Sequence, residues 1–399
     1  MDTVKPEGVG FSSKRLGRIN AVMQKAVNEG NCAGILTMVA RRGQIAHLDC
    51  VGMMDVEAGK PMQPDTIFRI YSMSKPVTSV AAMMLYEEGH FQLKTPVSEF
   101  IPGFKDAKVF VRETKAGLEL ADMEQEITIH HLLTHTSGLS YGSDESSPVD
   151  ALYRQAFPRS EEGALEKMVE VLPTLPLWFQ PGRGWRYSFS TDVLGYVVQV
   201  ISGQPFDAFL QQRIFEPLGM VDTGFYVPVE KLDRFAALYG RSEEGELGLV
   251  DAPATGRYAK PPAFLSGGGG LVSTVRDYVR FAQMLLNGGH LDGVRLLGRK
   301  TVELMMMNHL PEALLPFTVN PGEPPAWGYG FGLGGKVMMD PARAGILGSR
   351  GEYSWSGAAS TGFWVDPQEE VIGLVMTQVM PFQPLVNALR VLVYQALVD

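Results

Sequence analysis

Residues 12 to 29 carry apolar side chains at Leu16, Ile19, Val22, Met23, Ala26 and Val27. Spacings of three and four predict an amphipathic helix stopped at Gly30. The period then shortens. GILTMVARRGQIAHLDCVG, from residue 34, reads as two strand-like runs around a glycine-containing turn, a hairpin. The C-terminal quarter mirrors this start: WGYGFGLGGKVM, STGFWVDP and VIGLVMTQV read as strands, and PLVNALRVLVYQAL as a closing helix. One antiparallel sheet built from both chain ends and flanked by helices accounts for these elements. Between them, helical segments are predicted over 73 to 88, 191 to 202, 206 to 214, 274 to 287 and 299 to 308, broken by Gly/Pro loops. The fold class is α+β, with an α/β sheet domain from residues 1–71 and 327–399 and a mainly helical domain from 72–326. The active site is expected between them. LPEALLPFTVNPGEPPA, 310 to 326, holds five prolines and reads as a mobile loop or lid.

Composition removes several classes of function. The 399 residues are 45% hydrophobic and carry a net charge of −9 without basic runs, so neither nucleic acid nor an anionic membrane is an expected partner. No apolar run approaches the roughly 18 residues of a spanning helix. The opening MDTVKPEGVGFSSKRLGRIN lacks the layout of a signal peptide, so a cytoplasmic location is expected. Cys32 and Cys50, the only cysteines, read as small apolar residues of a reducing compartment. His130, His131 and His135 crowd into ITIHHLLTHTSGL, but no HExxH glutamate or third ligand accompanies them. No metal and no cofactor are expected.

Four stretches compete for the chemistry. GLSYG, residues 138 to 142, fits the G-x-S-x-G elbow around Ser140, yet SDESSP follows where the elbow needs a helix. Gly330, Gly332 and Gly335 satisfy G-x-G-x-x-G, and the run to Lys336 nearly makes a phosphate loop, but Val337 stands where Ser/Thr should bind magnesium and no helix follows. LSGGGGLVSTVRDY, 265 to 278, reads as a tight turn that lets backbones approach. The fourth is DTIFRIYSMSKPVTSVAAMMLYEEGH, where Ser72 starts a helix with an apolar stripe at Val77, Val80, Ala81, Met84 and Leu85. Pro76 is tolerated in that first turn. Ser72 and Lys75 are i,i+3 neighbours on one face. A serine hydroxyl needs a base, a lysine can serve where burial and positive potential favour its neutral form, and a helix N-terminus also stabilises an oxyanion. Tyr187, just before another amphipathic helix, supplies a hydroxyl able to relay a proton.

With SMSK, LLTHTSGL, WRYSFSTDVLGYVV, IFEPLGMVDTGF, GGGGLVSTVRDYVRF and SWSGAASTGFWVDP in order along nearly the whole chain, the sequence resembles the serine β-lactamase and penicillin-binding-protein superfamily. The resemblance is specifically to class C β-lactamase-like serine hydrolases and family VIII carboxylesterases. It implies a β-lactamase/transpeptidase-like fold, Ser72 as acylated nucleophile, Lys75 as general base and Tyr187 as proton shuttle. It implies an oxyanion hole from the backbone N–H groups of Ser72 and Ala358, Trp355-Ser356-Gly357 as the strand motif lining the site, and Ser140 as a bystander.

Two departures from the family pattern shape the expected substrate. Phe189 replaces the Asn of Y-x-N, and Trp355 replaces the cation that would hold a substrate carboxylate. Losing a charge-assisted hydrogen bond costs roughly 1.5 to 3 kcal/mol. The expectation is therefore a carboxylesterase for short-chain, uncharged esters working through an acyl-serine. β-Lactamase, D-alanyl carboxypeptidase and acyltransferase are the alternatives within the enzyme class, and a non-catalytic acyl-ligand-binding or assembly protein is the rival outside it. Tyr141 is the first choice among candidate pocket aromatics, ahead of Trp178, Trp185, Trp327 and Tyr329. Oligomeric state is left open.

Overall fold

The computed structural model describes residues 2–157 and 164–399. The elements that position the site are helix α1 (Arg18–Asn28), strands β1 (Gly34–Arg41), β2 (Gln44–Asp55) and β3 (Lys60–Pro61), then helices α2 (Ser74–Glu87), α3 (Ile129–Leu133), α4 (Ser190–Ser202) and α5 (Val275–Leu286). Strands β4 (Tyr329–Phe331), β5 (Lys336–Met338), β6 (Tyr353–Ser356), β7 (Gly362–Asp366) and β8 (Val371–Met376) follow, and helix α6 (Leu385–Tyr394) closes the chain. The strands form one eight-stranded antiparallel sheet in the order β4-β5-β6-β7-β8-β1-β2-β3. Its seam joins the two chain ends, with Leu36 opposite Met376 and Arg41 opposite Val371. The fold is β-lactamase/transpeptidase-like.

Alternation along each strand decides what covers each face. Ile35, Val39, Trp364 and Val375 point to one side, where Ile19 and Met23 of α1 and Leu389 and Val393 of α6 cover them. Leu36, Met38, Phe363 and Leu374 point to the other, into the larger core shared with α5. Helix α5 comes from the middle of the chain yet packs on β7 and β8.

Helix α2 is buried on nearly every side, not only along the predicted stripe. Its polar positions are matched by the glycine run: Leu271 N–H donates to Ser74 Oγ at 3.1 Å, and Thr78 Oγ1 donates to Gly267 O at 2.7 Å. A Cβ on Gly267 would sit 2.7 Å from Thr191 O, and one on Gly268 2.6 Å from Asp192 Oδ2, so glycine is what lets this segment press between α2 and α4.

Two expectations need correction. WGYGFGLGGKVM is a hairpin, β4 and β5, rather than one strand. Gly334 at its tip has φ +86°, and a Cβ there would lie 2.0 Å from Ser79 Oγ, so the chain turns where it rests on α2. The central stretch also holds β structure: Lys108–Thr114 pairs with Gly117–Asp122, and Leu238–Arg241 with Leu247–Asp251. Short, largely exposed strands of this kind bury too little for apolar periodicity to reveal them. Among the described residues, no helix is long and apolar enough to cross a membrane.

Candidate active site

Ser72 lies in a 3-10 turn, Tyr71–Met73, that runs straight into α2. Tyr71 immediately before it has φ 42°, a left-handed conformation that costs a bulky residue about 1–2 kcal/mol. The sharp turn presents Ser72 beside the positive end of α2. One helical turn on, Lys75 is almost fully buried, at 1% exposure. Its Nζ donates to Gly268 O at 2.7 Å and to Ser72 Oγ at 3.3 Å. It also stands over the rings of Tyr187 at 4.2 Å and Tyr141 at 5.4 Å.

Asp192, on the first turn of α4, is buried behind this group. It accepts from Ser266 Oγ at 2.5 Å, Gly268 N at 3.0 Å and Tyr141 Oη at 3.3 Å. Burial pushes its carboxyl pKa up, while the Lys75 charge and these hydrogen bonds pull the other way. Sequence reasoning missed Asp192 and Ser266. The available signal was an acidic residue in the first turn of an otherwise apolar helix.

Tyr187 precedes α4, and its phenol oxygen accepts the indole N–H of Trp355 at 3.2 Å. Trp355 sits on β6 and is 6% exposed. The expected apolar wall is therefore also a hydrogen-bond donor aimed at the tyrosine oxygen. His135 packs on the other side of Tyr187 with ring centroids 4.9 Å apart, and complete burial holds its imidazole well below the usual pKa.

Two hollows meet at Ser72. A cleft of about 280 Å³ is lined by Ser72, Tyr187, Trp355, Ser356, Gly357 and Ala358, together with Lys336, Glu323 and their neighbours Val319 and Asn320. A second pocket of about 140 Å³ is lined by Lys75, Tyr141, Phe189, Asp192 and Phe264. Ser72 and Ala358 are the two residues common to both. Gly357 permits this junction, because a Cβ there would lie 2.4 Å from Ile70 O.

The other candidates fall elsewhere. Ser140 is fully buried, donates to Asp150 Oδ1 at 2.6 Å and accepts from Arg186 Nε and Gly142 N, each at 3.0 Å. Trp178 Nε1 donates to the same Asp150 oxygen at 2.6 Å. Trp178 and Trp185 line a neighbouring hollow with Phe317, not the Ser72 cleft. Trp327 is 48% exposed beneath Arg343, and Tyr329 lies under Lys336. None of these four aromatics lines either hollow at Ser72: Asp150 holds Trp178, Trp185 packs on the rings of Tyr187 and Phe317, and Trp327 and Tyr329 lie under Arg343 and Lys336 at the start of the β4–β5 hairpin. The three histidines also part company, His130 bonding His309 at 3.1 Å, His131 capping α3 and His135 backing Tyr187.

Residues 19–397 match the family model described as Beta-lactamase. The chain is 38% identical to protein Rv1367c of Mycobacterium tuberculosis, over 90% of this chain and 89% of that one. It is 33% identical to esterase EstB of Burkholderia gladioli, over 94% of each. Among solved structures it is similar to EstCE1, described as a hydrolase with promiscuous acyltransferase activity, with TM-score 0.81, 26% identity and coverage of 97% and 99%.

Proposed function

The chain belongs to the beta-lactamase family, and from that premise we propose that it is a carboxylesterase of the family VIII type, cleaving short-chain esters through an acyl-serine. The esterase among its relatives supports the reaction class, and the family supports a serine hydrolase. The observation that carries the residue roles is Lys75 Nζ at 3.3 Å from Ser72 Oγ, with the indole-bonded Tyr187 facing the same serine.

In this mechanism Ser72 Oγ adds to the ester carbonyl carbon as its proton passes to the Lys75 amine. The oxyanion sits between the backbone N–H groups of Ser72 and Ala358, at the positive end of α2. The bond to the alcohol oxygen then breaks, and that oxygen takes a proton relayed through Tyr187. Water adds to the acyl-Ser72 carbonyl, giving its proton to the same pair. The Ser72 ester bond breaks, the hydroxyl regains a proton, and the carboxylic acid leaves. The small pocket walled by Tyr141, Phe189 and Phe264 suits a short apolar acyl chain. The cytoplasm suits the unpaired Cys32 and Cys50.

The test is fluorophosphonate labelling with peptide mass spectrometry, beside p-nitrophenyl butyrate turnover. One adduct on the Ser72 peptide with loss of turnover is the expected result. A label on Ser140 overturns the mechanism, and the absence of both label and turnover returns the chain to a binding role. A second reading, acyl transfer, is favoured by the similarity to EstCE1. Its mark is a new ester when an alcohol acceptor is added to the assay.

A further inference from the structure

The expectation of an uncharged substrate rested on Trp355 standing where the family carries a cation. The structure supplies a cation from the next strand. Lys336 on β5 is half-buried and lines the same cleft as Ser72. Its ammonium stands 4.3 Å from the Tyr329 ring centroid, and among the described residues it has neither a hydrogen bond nor an ion pair. The nearby carboxylates attract it without bonding it: Glu352 is hydrogen-bonded to Arg390 and to Tyr394 Oη, and the exposed Glu323 receives the Asn320 amide at 2.8 Å. Burial and the Arg390 charge lower the ammonium's pKa to about 8, so it is largely protonated near neutral pH. A half-buried ammonium that bonds no carboxylate, with the Tyr329 ring beside it and Glu352 and Glu323 acting on it only through space, carries a desolvation cost that an apolar side chain would avoid.

Strand pairing gives this cation a place relative to the reaction. β5 pairs with β6 only at Lys336–Ser354 and Val337–Tyr353, so the β6 edge at Trp355 and Ser356 has no β5 partner, and Lys336 stands where that free stretch begins. The two hollows at Ser72 also differ in chemistry. Tyr187, the group that protonates the departing oxygen in the proposed mechanism, lines the cleft with Lys336, whereas Phe189 and Tyr141 line the other pocket. The alcohol portion therefore occupies the cleft and the acyl chain the small pocket.

We propose that the alcohol portion of the ester carries a carboxylate and that Lys336 binds it. A lysine is a single point charge rather than a fork, and Glu323 lining the cleft opposes a second negative charge, so a monoanion fits better than a phosphate. This inference rests on the esterase reading and deepens it.

The probes are 4-carboxyphenyl butyrate and its neutral counterpart, methyl 4-(butyryloxy)benzoate, with p-nitrophenyl butyrate as a reference. Leaving-group reactivity differs between the pair, so the informative quantity is how their kcat/KM ratio changes from wild type to variant. Lys336→Met is expected to lower the charged-to-neutral ratio about tenfold, mainly through KM of the charged ester, and Lys336→Arg to retain it. An unchanged ratio in Lys336→Met overturns the inference. Should Lys336→Met fail to fold, the wild-type ratio decides: a fall with rising ionic strength supports the inference and a flat response overturns it. Turnover of p-nitrophenyl butyrate with an unresponsive ratio removes the inference alone, whereas no turnover of any ester removes the esterase reading and the inference together.

Discussion

Trp355→Phe separates two roles for the residue that departs most from the family pattern. The indole N–H donates at 3.2 Å to Tyr187 Oη, and its ring packs against Phe331 at 5.3 Å and Tyr187 at 5.6 Å. Phenylalanine keeps an apolar wall but removes the donor. A hydrogen bond to a neutral oxygen contributes about 0.5–1.5 kcal/mol, and one to a charged oxygen about 1.5–3 kcal/mol. If Tyr187 Oη gains negative charge as it passes its proton to the departing alcohol, the donor matters more in the transition state than in the bound ester. The difference, about 1–1.5 kcal/mol, gives an expected fall in kcat of about 5- to 13-fold with KM changed little. The smaller ring also leaves a void, and since Trp355 is 6% exposed, stability should drop by about 1–3 kcal/mol. The assay is p-nitrophenyl butyrate kinetics on protein whose fold is checked by thermal melting. A variant with unaltered kcat and raised KM would refute the reasoning and leave Trp355 as wall only.

Other perturbations test the rest of the site. Lys75→Met replaces a buried amine that donates to Gly268 O by an apolar side chain of similar length; turnover should vanish while the melting temperature holds or rises, because the polar group carries a desolvation cost that the apolar one avoids, and a large drop in stability would contradict this view of the pocket. Ser140→Ala leaves the Arg186 and Gly142 N–H groups without their acceptor, so it should cost about 1–3 kcal/mol in denaturant titration while fluorophosphonate still labels Ser72. Acid should destabilise the fold through His130 and His131, each lowered by burial to about 4. The unfolded chain takes up these protons near pH 6.5, the folded chain near 4, so the stability present above 6.5 is lost as pH falls between them, at most about 1.4 kcal/mol per pH unit per histidine. His130→Gln should flatten that slope in denaturant midpoints measured across the window, and an unaltered slope would count against it.

Where side-chain placement follows local geometry, it was legible in the chain. Ser72 and Lys75 lie three residues apart, and any helix through them brings the two side chains to one face. Ser140 was set aside for the same kind of reason, since no helix follows GLSYG; the structure instead shows the hydroxyl buried in a network with Asp150 and Arg186. The helix and hairpin near the N-terminus, and the strands and helix near the C-terminus, follow from periods of 3.6 and 2. Their union into one sheet was inferable because neither end alone has strands enough to bury its apolar faces.

What the sequence by itself determined is thus the set of elements with one buried face and the pair of groups that share a helical turn. What only the tertiary structure decided is everything set by distant partners: the Asp192 carboxylate receiving Gly268, the Trp355 indole meeting Tyr187, and Lys336 reaching the Ser72 cleft. Strand register explains the difference. A slip of one residue between β5 and β6 would turn Lys336 to the opposite face of the sheet without altering the apolar pattern of any helix. That register is held by the packing of the whole core, with the hairpin tip at Gly334 seated on α2, and no window of local sequence contains those contacts.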